Sequence, residues 1–397
     1  MMRKLILIIF LISPGLAGYN QTPVYNITDF GALGDGITDN TGAIQKAVNQ
    51  CSQTGGKIVF PEGVFLSGTV FLESDITIEL SAKAEWKGIP DLDAYPLIEP
   101  EMLSRMDLIP RRALVYAKNK TNITITGQGM FHPNGEDLVF QNHIGDSPDR
   151  PFGIQMVNCR NITLSGISMR NSAYWMQRYF HCDNLRFENL NIWNHSNLNN
   201  DGLDIDGCHK VVVTGCSIDA SDDALVFKSE GLRTCEDVVV SNCILRSQAS
   251  ALKWGTGSVG GFKYVTVTNC VIRPSQSTIM HHPMGSWAGL VGIDMGNVDG
   301  GIMEHIVVNN IVVDSIETPI FIRLGKRNAR TWAKEDSIHE GRTHDIRIDN
   351  ISGTAAGKIS CAITAYPGNY VEGVSLTNIN LSFPGGGSKA DVSRDVP

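Results

Sequence analysis

Five times between residues 161 and 272 the chain repeats one short pattern: a polar residue, a β-rich stretch, a Gly or Asn, and a second apolar stretch. One copy runs Asn161-Ile-Thr-Leu-Ser-Gly-Ile-Ser-Met169, and others begin at Asn184, Lys210, Asp237 and Tyr264, with starts 23, 26, 27 and 27 residues apart. Further copies begin at His305, Asp345 and Gly373 after longer gaps. Within each copy the apolar residues alternate, as in a strand with one buried face. A third short strand falls between copies, at Leu203–Asp206, Ala224–Lys228, Ala251–Trp254, Val291–Met295 and Ile320–Leu324. Three short strands in a period of roughly 25 residues cannot bury a face alone, whereas stacked coils produce a continuous core. The predicted fold is therefore all-β, a single-stranded right-handed parallel β-helix. A propeller or sandwich would need longer strands with hairpin signals between them. Stacking would also align Cys216, Cys243 and Cys270 in one interior column.

Ahead of the repeat, Thr41 to Cys51 reads as an amphipathic helix, with Ala43, Ile44, Ala47, Val48 and Cys51 on one stripe, and is expected to cap the amino-terminal end of the solenoid. The chain begins with a basic start, the apolar run Leu5 to Ile12 and small residues at its exit. That pattern predicts a secretory signal peptide over residues 1–18, and hence a secreted or periplasmic protein; an uncleaved membrane anchor is the alternative. No linker divides residues 19–397, so one elongated domain is expected. The last residues, from Pro384, read as the middle of a loop, and the natural carboxyl terminus is expected to lie further on. Nine cysteines in an exported chain raise the question of disulfides, but the count is odd and several sit at equivalent places in the repeat, so buried thiols are as compatible as bridges. No CxxC spacing suggests zinc. The net charge of −8 argues against a nucleic-acid partner.

The densest acidic cluster is Asn199-Asn200-Asp201-Gly202-Leu203-Asp204-Ile205-Asp206, followed one coil later by Ser221-Asp222-Asp223-Ala224. Both segments lead into the same face strand of successive coils, about 4.8 Å apart. Carboxylates brought together there repel one another, and the repulsion raises the pKa of at least one, giving a protonated acid beside ionised bases. Glycosidic hydrolysis needs that division: an acid for the leaving oxygen and a base for water. The alternative is that these Asp and Asn residues only cap turns. Lys228, Lys253 and Arg323 also fall on face strands, where they would either grip a uronate carboxylate or balance the aspartates. Trp254 is placed either to stack on a sugar ring or to pack inside.

Asn199-x-Asp201-Gly202 with Ser221-Asp222-Asp223 resembles the catalytic signature of glycoside hydrolase family 28, the polygalacturonase family. Asp29-Phe-Gly-Ala32-x-Gly34-Asp-Gly36-x-Thr38-Asp39, then Gly55-Gly-Lys-Ile-Val-Phe-Pro-Glu-Gly63, is similar to the opening coils of that family, so the resemblance covers nearly the whole mature chain. It implies that Asp222 is the general acid, that Asp201 and Asp223 hold and activate the water with inversion at the anomeric carbon, and that Asn199 orients the group. The family's Gly-His-Gly is replaced by Ala249-Ser250-Ala251, and its Arg-Ile-Lys by Arg323-Leu324-Gly325, with Lys326 and Arg327 following. These departures weaken plain polygalacturonate as the substrate and leave hydrolysis of a pectic, galacturonate- or rhamnogalacturonan-type glycan as the expectation. The residues expected to bind substrate are Asn199, Lys228, Ser250, Lys253, Trp254, Arg323 and Lys326. No metal or cofactor is predicted, no membrane partner, and a monomer is expected. Residues 273–290 and 325–343, the first with His281, His282 and Trp287, are expected to wall the cleft. The rival readings are a polysaccharide lyase on the same scaffold and a non-catalytic carbohydrate-binding β-helix.

Overall fold

The structure, a computed structural model, describes residues 22–100, 111–141, 150–276, 290–327, 340–357 and 361–392. The leader read over residues 1–18, His281, His282 and Trp287, most of both wall segments and the final five residues lie outside them.

The chain winds as the repeat predicts, a parallel β-helix of stacked three-strand coils. One coil comprises Asp183–Glu188, Asn191–Asn194 and Leu203–Asp206; the next comprises His209–Thr214, Ser217–Ala220 and Leu225–Ser229. The first two strands of successive coils join one twenty-stranded sheet and the third strands form a separate ten-stranded sheet. All pairings between named strands are parallel, and through the middle coils equivalent apolar residues stack: Leu185 on Val211, Val211 on Val238, Val238 on Val265 and Val265 on Ile306. These side chains are buried and belong to one continuous core. Stacking of like on like is what lets strands of four to six residues persist, because each coil supplies the hydrophobic partner its neighbour lacks.

The polar residue that opens each copy has a backbone role. Asn161, Asn184, Lys210, Asp237, Tyr264, His305 and Asp345 all adopt left-handed φ between 52° and 59°, turning the chain at the same corner of every coil. Asn tolerates that conformation better than most residues, and here its side chain adds a ladder. The Asn161 amide donates to Asn122 Oδ1 at 2.8 Å, and Asn184 to Asn161 Oδ1 at 2.8 Å. A second ladder climbs through Asn269, Asn310, Asn350 and Asn378.

All nine cysteines are unpaired. Cys216, Cys243 and Cys270 form the expected interior column, with Cys243 hydrogen-bonded to both neighbours. A second column was not anticipated: Cys159 N donates to Cys182 Sγ at 3.3 Å and Cys182 N to Cys208 Sγ at 3.4 Å, with Cys235 buried beyond. The capping helix α1 spans Thr41–Thr54, one turn longer than predicted, with Ile44, Ala47, Val48 and Cys51 buried and Ala43 partly buried against the core.

Candidate active site

The acidic residues gather on the outer face of the ten-stranded sheet, near its middle. Leu203 pairs with Leu225, and Gly202 N donates to Asp223 O at 2.9 Å, so Asp201 sits directly beside Asp223 one coil on. Two buried asparagines fix the turn that delivers Asp201. Asn200 accepts from Ser196 N at 2.7 Å and donates to the carbonyls of Ser172 and Tyr174, both at 2.8 Å. Asn194 donates to Asp201 O at 2.8 Å and to Ser172 Oγ at 2.9 Å. In the next coil Ser247 Oγ donates to Asp222 O at 2.5 Å. A turn with its backbone satisfied from several elements has little freedom to swing its carboxylate.

Asp201, Asp222 and Asp223 are 2, 7 and 4% exposed. Burial, reinforced by the charges of Asp204, Asp222 and Asp223 and only partly offset by Lys228, pushes the Asp201 carboxyl well above the carboxylate range. Among the described residues Asp201 Oδ1 has no hydrogen-bond partner. Asp223 is held differently: Lys253 Nζ donates to its Oδ2 at 2.7 Å and Ser250 N to its Oδ1 at 3.1 Å. Burial alone would lower the Lys253 ammonium, but Asp223, Asp294 and Asp222 outweigh it and raise it. The arrangement therefore favours the protonated form of Asp201, which its acidic neighbours would repel if ionised, beside another carboxylate kept in place by a cation.

Two further acids, not predicted as site residues, complete the floor. Asp204 is wholly buried between coils, 3.5 Å from Lys228 Nζ, and burial drives its carboxyl up to about 8 although Lys228 opposes the shift. Asp294 accepts from Ser250 Oγ at 2.8 Å and is raised by burial against the pull of Lys253. Asp206 is paired with the buried Arg178, Nη2 to Oδ2 at 2.8 Å. Asp204 and Asp206 were legible as the outward positions of an alternating strand. Arg178 lies on Gln177–Phe180, the face strand before the first one read from the sequence.

The predicted substrate contacts divide. Lys228 and Lys253 line the site but each already faces carboxylates, and the Lys228 ammonium also lies over the Trp175 ring at 4.5 Å. Arg323 is half-buried on the next face strand but one and near enough to Asp294 to act on its charge. Lys326 is exposed just past that strand. Asn199, in left-handed backbone at φ 56°, makes no hydrogen bond to the three aspartates; its Oδ1 accepts from the buried Arg150 at 3.0 Å. Trp254 requires correction. It is 0% exposed, points inward with Leu252, and packs against Phe227 at 5.0 Å between centroids, so no sugar can stack on it. Among the described residues no group of three or more His, Cys, Asp and Glu is arranged to hold a metal ion.

The profile of the family described as glycosyl hydrolases family 28 matches residues 51–396. A probable polygalacturonase of Vitis vinifera is 28% identical over 51% of this chain and 44% of its own length. An exopolygalacturonase of Arabidopsis thaliana is 25% identical over 96% of this chain and 84% of its own. The chain thus spans less than half the length of the grapevine relative and most of the Arabidopsis one. In three dimensions the crystal structure of a hyperthermoactive exopolygalacturonase from Thermotoga maritima superposes with a TM-score of 0.71 at 24% identity, covering 91% of this chain and 89% of that one, a likeness of fold.

Proposed function

The chain belongs to glycosyl hydrolases family 28, and from that premise we propose that it hydrolyses glycosidic bonds in a pectic poly- or oligosaccharide outside the cytoplasm. The observation that carries the reading is the meeting of Asp201, Asp222 and Asp223 from two successive coils, with the proton that burial retains on the cluster. Asp222, the most accessible of the three, donates to the leaving oxygen. Asp223 takes the proton of the water on the opposite side, Asp201 helps to hold that water, and the product forms with inversion. Lys253 and Ser250 N keep the Asp223 carboxylate aimed while the water is deprotonated. Arg150 holds Asn199 at the edge of the turn, where its free amide can meet a sugar hydroxyl.

The substrate reading follows from charge. Lys253 stands between Asp223 and Asp294, and Arg323 acts on Asp294, so these cations are largely balanced before any uronate arrives. That balance supports a branched or rhamnose-containing pectic backbone, with a neutral sugar seated beside the catalytic acids, over plain polygalacturonate. The test is a screen of the purified protein against rhamnogalacturonan and polygalacturonate oligosaccharides, read by product mass. Products that gain one water support hydrolysis, unsaturated products indicate a lyase, and binding without release indicates a carbohydrate-binding helix. Faster cleavage of polygalacturonate than of rhamnogalacturonan would overturn the substrate assignment.

A further inference from the structure

Outside the catalytic cleft, on the outer face of the twenty-stranded sheet, four successive coils place Arg170, Trp193, Asp219 and Arg246 in one column: Arg170 pairs with Trp193, Trp193 with Asp219, and Asp219 with Arg246. All four line a cavity of about 430 Å³ that Ser217 and Gln276 also border. Both Asp219 oxygens are already occupied. Oδ1 accepts from Ser275 Oγ at 2.5 Å and lies 2.8 Å from His195 Nε2, and Oδ2 accepts from Gln276 N at 3.1 Å. These bonds outweigh burial and hold its carboxyl below the usual carboxylate range. The arginines are not spent in the same way. Among the described residues Arg170, which is exposed, has no ion pair, and Arg246 reaches only the Pro274 carbonyl, at 3.4 Å. Trp193, half-buried between them, rests against His195 with centroids 4.4 Å apart.

Trp193 thus lies beside Arg170, with Asp219, whose oxygens are occupied elsewhere, between it and Arg246, so a large aromatic shares one column with two guanidiniums that make no ion pair among the described residues. Guanidinium forks match a carboxylate with two parallel hydrogen bonds, and an indole offers a broad apolar face beside a polar edge. Three strand spacings separate the arginines, roughly 14 Å between their backbones, a span that lets one short oligosaccharide present a carboxylate to each. We propose that this cavity is a second, non-catalytic binding site for a uronate-bearing glycan, which tethers acidic polysaccharide beside the cleft.

The test is retention in native gels containing polygalacturonate, with Asp222→Asn as the parent so that the polymer stays intact. Adding Arg170→Ala and Arg246→Ala together should weaken retention at least tenfold, while in the wild-type background the same pair leaves hydrolysis of short pectic oligosaccharides within twofold. Retention of the parent should fall as salt is raised, and a fully methyl-esterified polymer should retain it far less. Retention unchanged by the double substitution, or equal on the esterified polymer, overturns the site. Should the double variant melt early, Arg170→Gln alone, on the exposed residue, must still reduce retention severalfold. Hydrolysis without arginine-dependent retention sinks the site alone, and retention without hydrolysis sinks the proposed function alone.

Discussion

Exchanging the Asp222 carboxyl for the isosteric amide removes the proposed proton donor and leaves the turn's backbone hydrogen bonds in place. Asp222→Asn should lower kcat by about 10²–10⁴-fold with the thermal midpoint unchanged, as followed by reducing-sugar release and calorimetry. Asp201 behaves differently because its charge is the costly form. Its carboxyl is raised in the folded protein, so between the ordinary value of 3.8 and the raised one the native state holds a proton the unfolded chain has lost. Stability therefore falls as pH rises through that window. Asp201→Asn removes this cost and should stabilise the protein at neutral pH, with the gain vanishing below pH 4, while hydrolysis is lost. A variant destabilised at neutral pH, with the loss shrinking as pH falls below 4, would show instead that Asp201 is ionised and paired. The aspartates were legible as residues because their spacing matches one coil. Trp254 was misread although its parity was in the sequence: it shares the inward positions of Leu203, Ile205, Leu225 and Phe227, which stack in register. Reading strand alternation across coils, rather than along one, assigns it to the core.

At the scale of an element, the corners matter as much as the strands. Asn161 stands at φ 57° and joins two rungs of a side-chain ladder. Asn161→Ala should cost about 1–2 kcal/mol in urea unfolding, from a strained left-handed backbone together with lost hydrogen bonds. Asn161→Gly should recover the backbone part. Ile44 packs fully buried in the helix that closes the first coil, and Ile44→Ala should cost about 2–4 kcal/mol by leaving a cavity at the end of the stack. The period exposed the coils because the chain repeats its turns. Residues 159, 182, 208 and 235 recur at that same period, so the second cysteine column was available to the same search. The charge network was not. Lys253 and Asp294 lie side by side across a 41-residue excursion, and Arg150 reaches Asn199 from 49 residues away, so no local pattern announces either contact.

Over the whole molecule, stability comes from one uninterrupted column of apolar side chains with no covalent staple. All nine thiols should alkylate in denaturant without reductant, and dithiothreitol should leave the thermal midpoint unchanged; a mass two units low for any pair would reveal a bridge. The same column holds two successive coils in fixed register, and that register is what sets carboxylates of different turns beside one another. In the proposed mechanism catalysis is a consequence of stacking, with Asp222 as donor and Asp201 and Asp223 acting on water. The most direct measurement is proton NMR of the first product released from a pectic oligosaccharide, recorded before the new reducing end mutarotates. The expected product is saturated, with an anomeric configuration opposite to that of the cleaved bond. A retained configuration, or an unsaturated uronate, would contradict it.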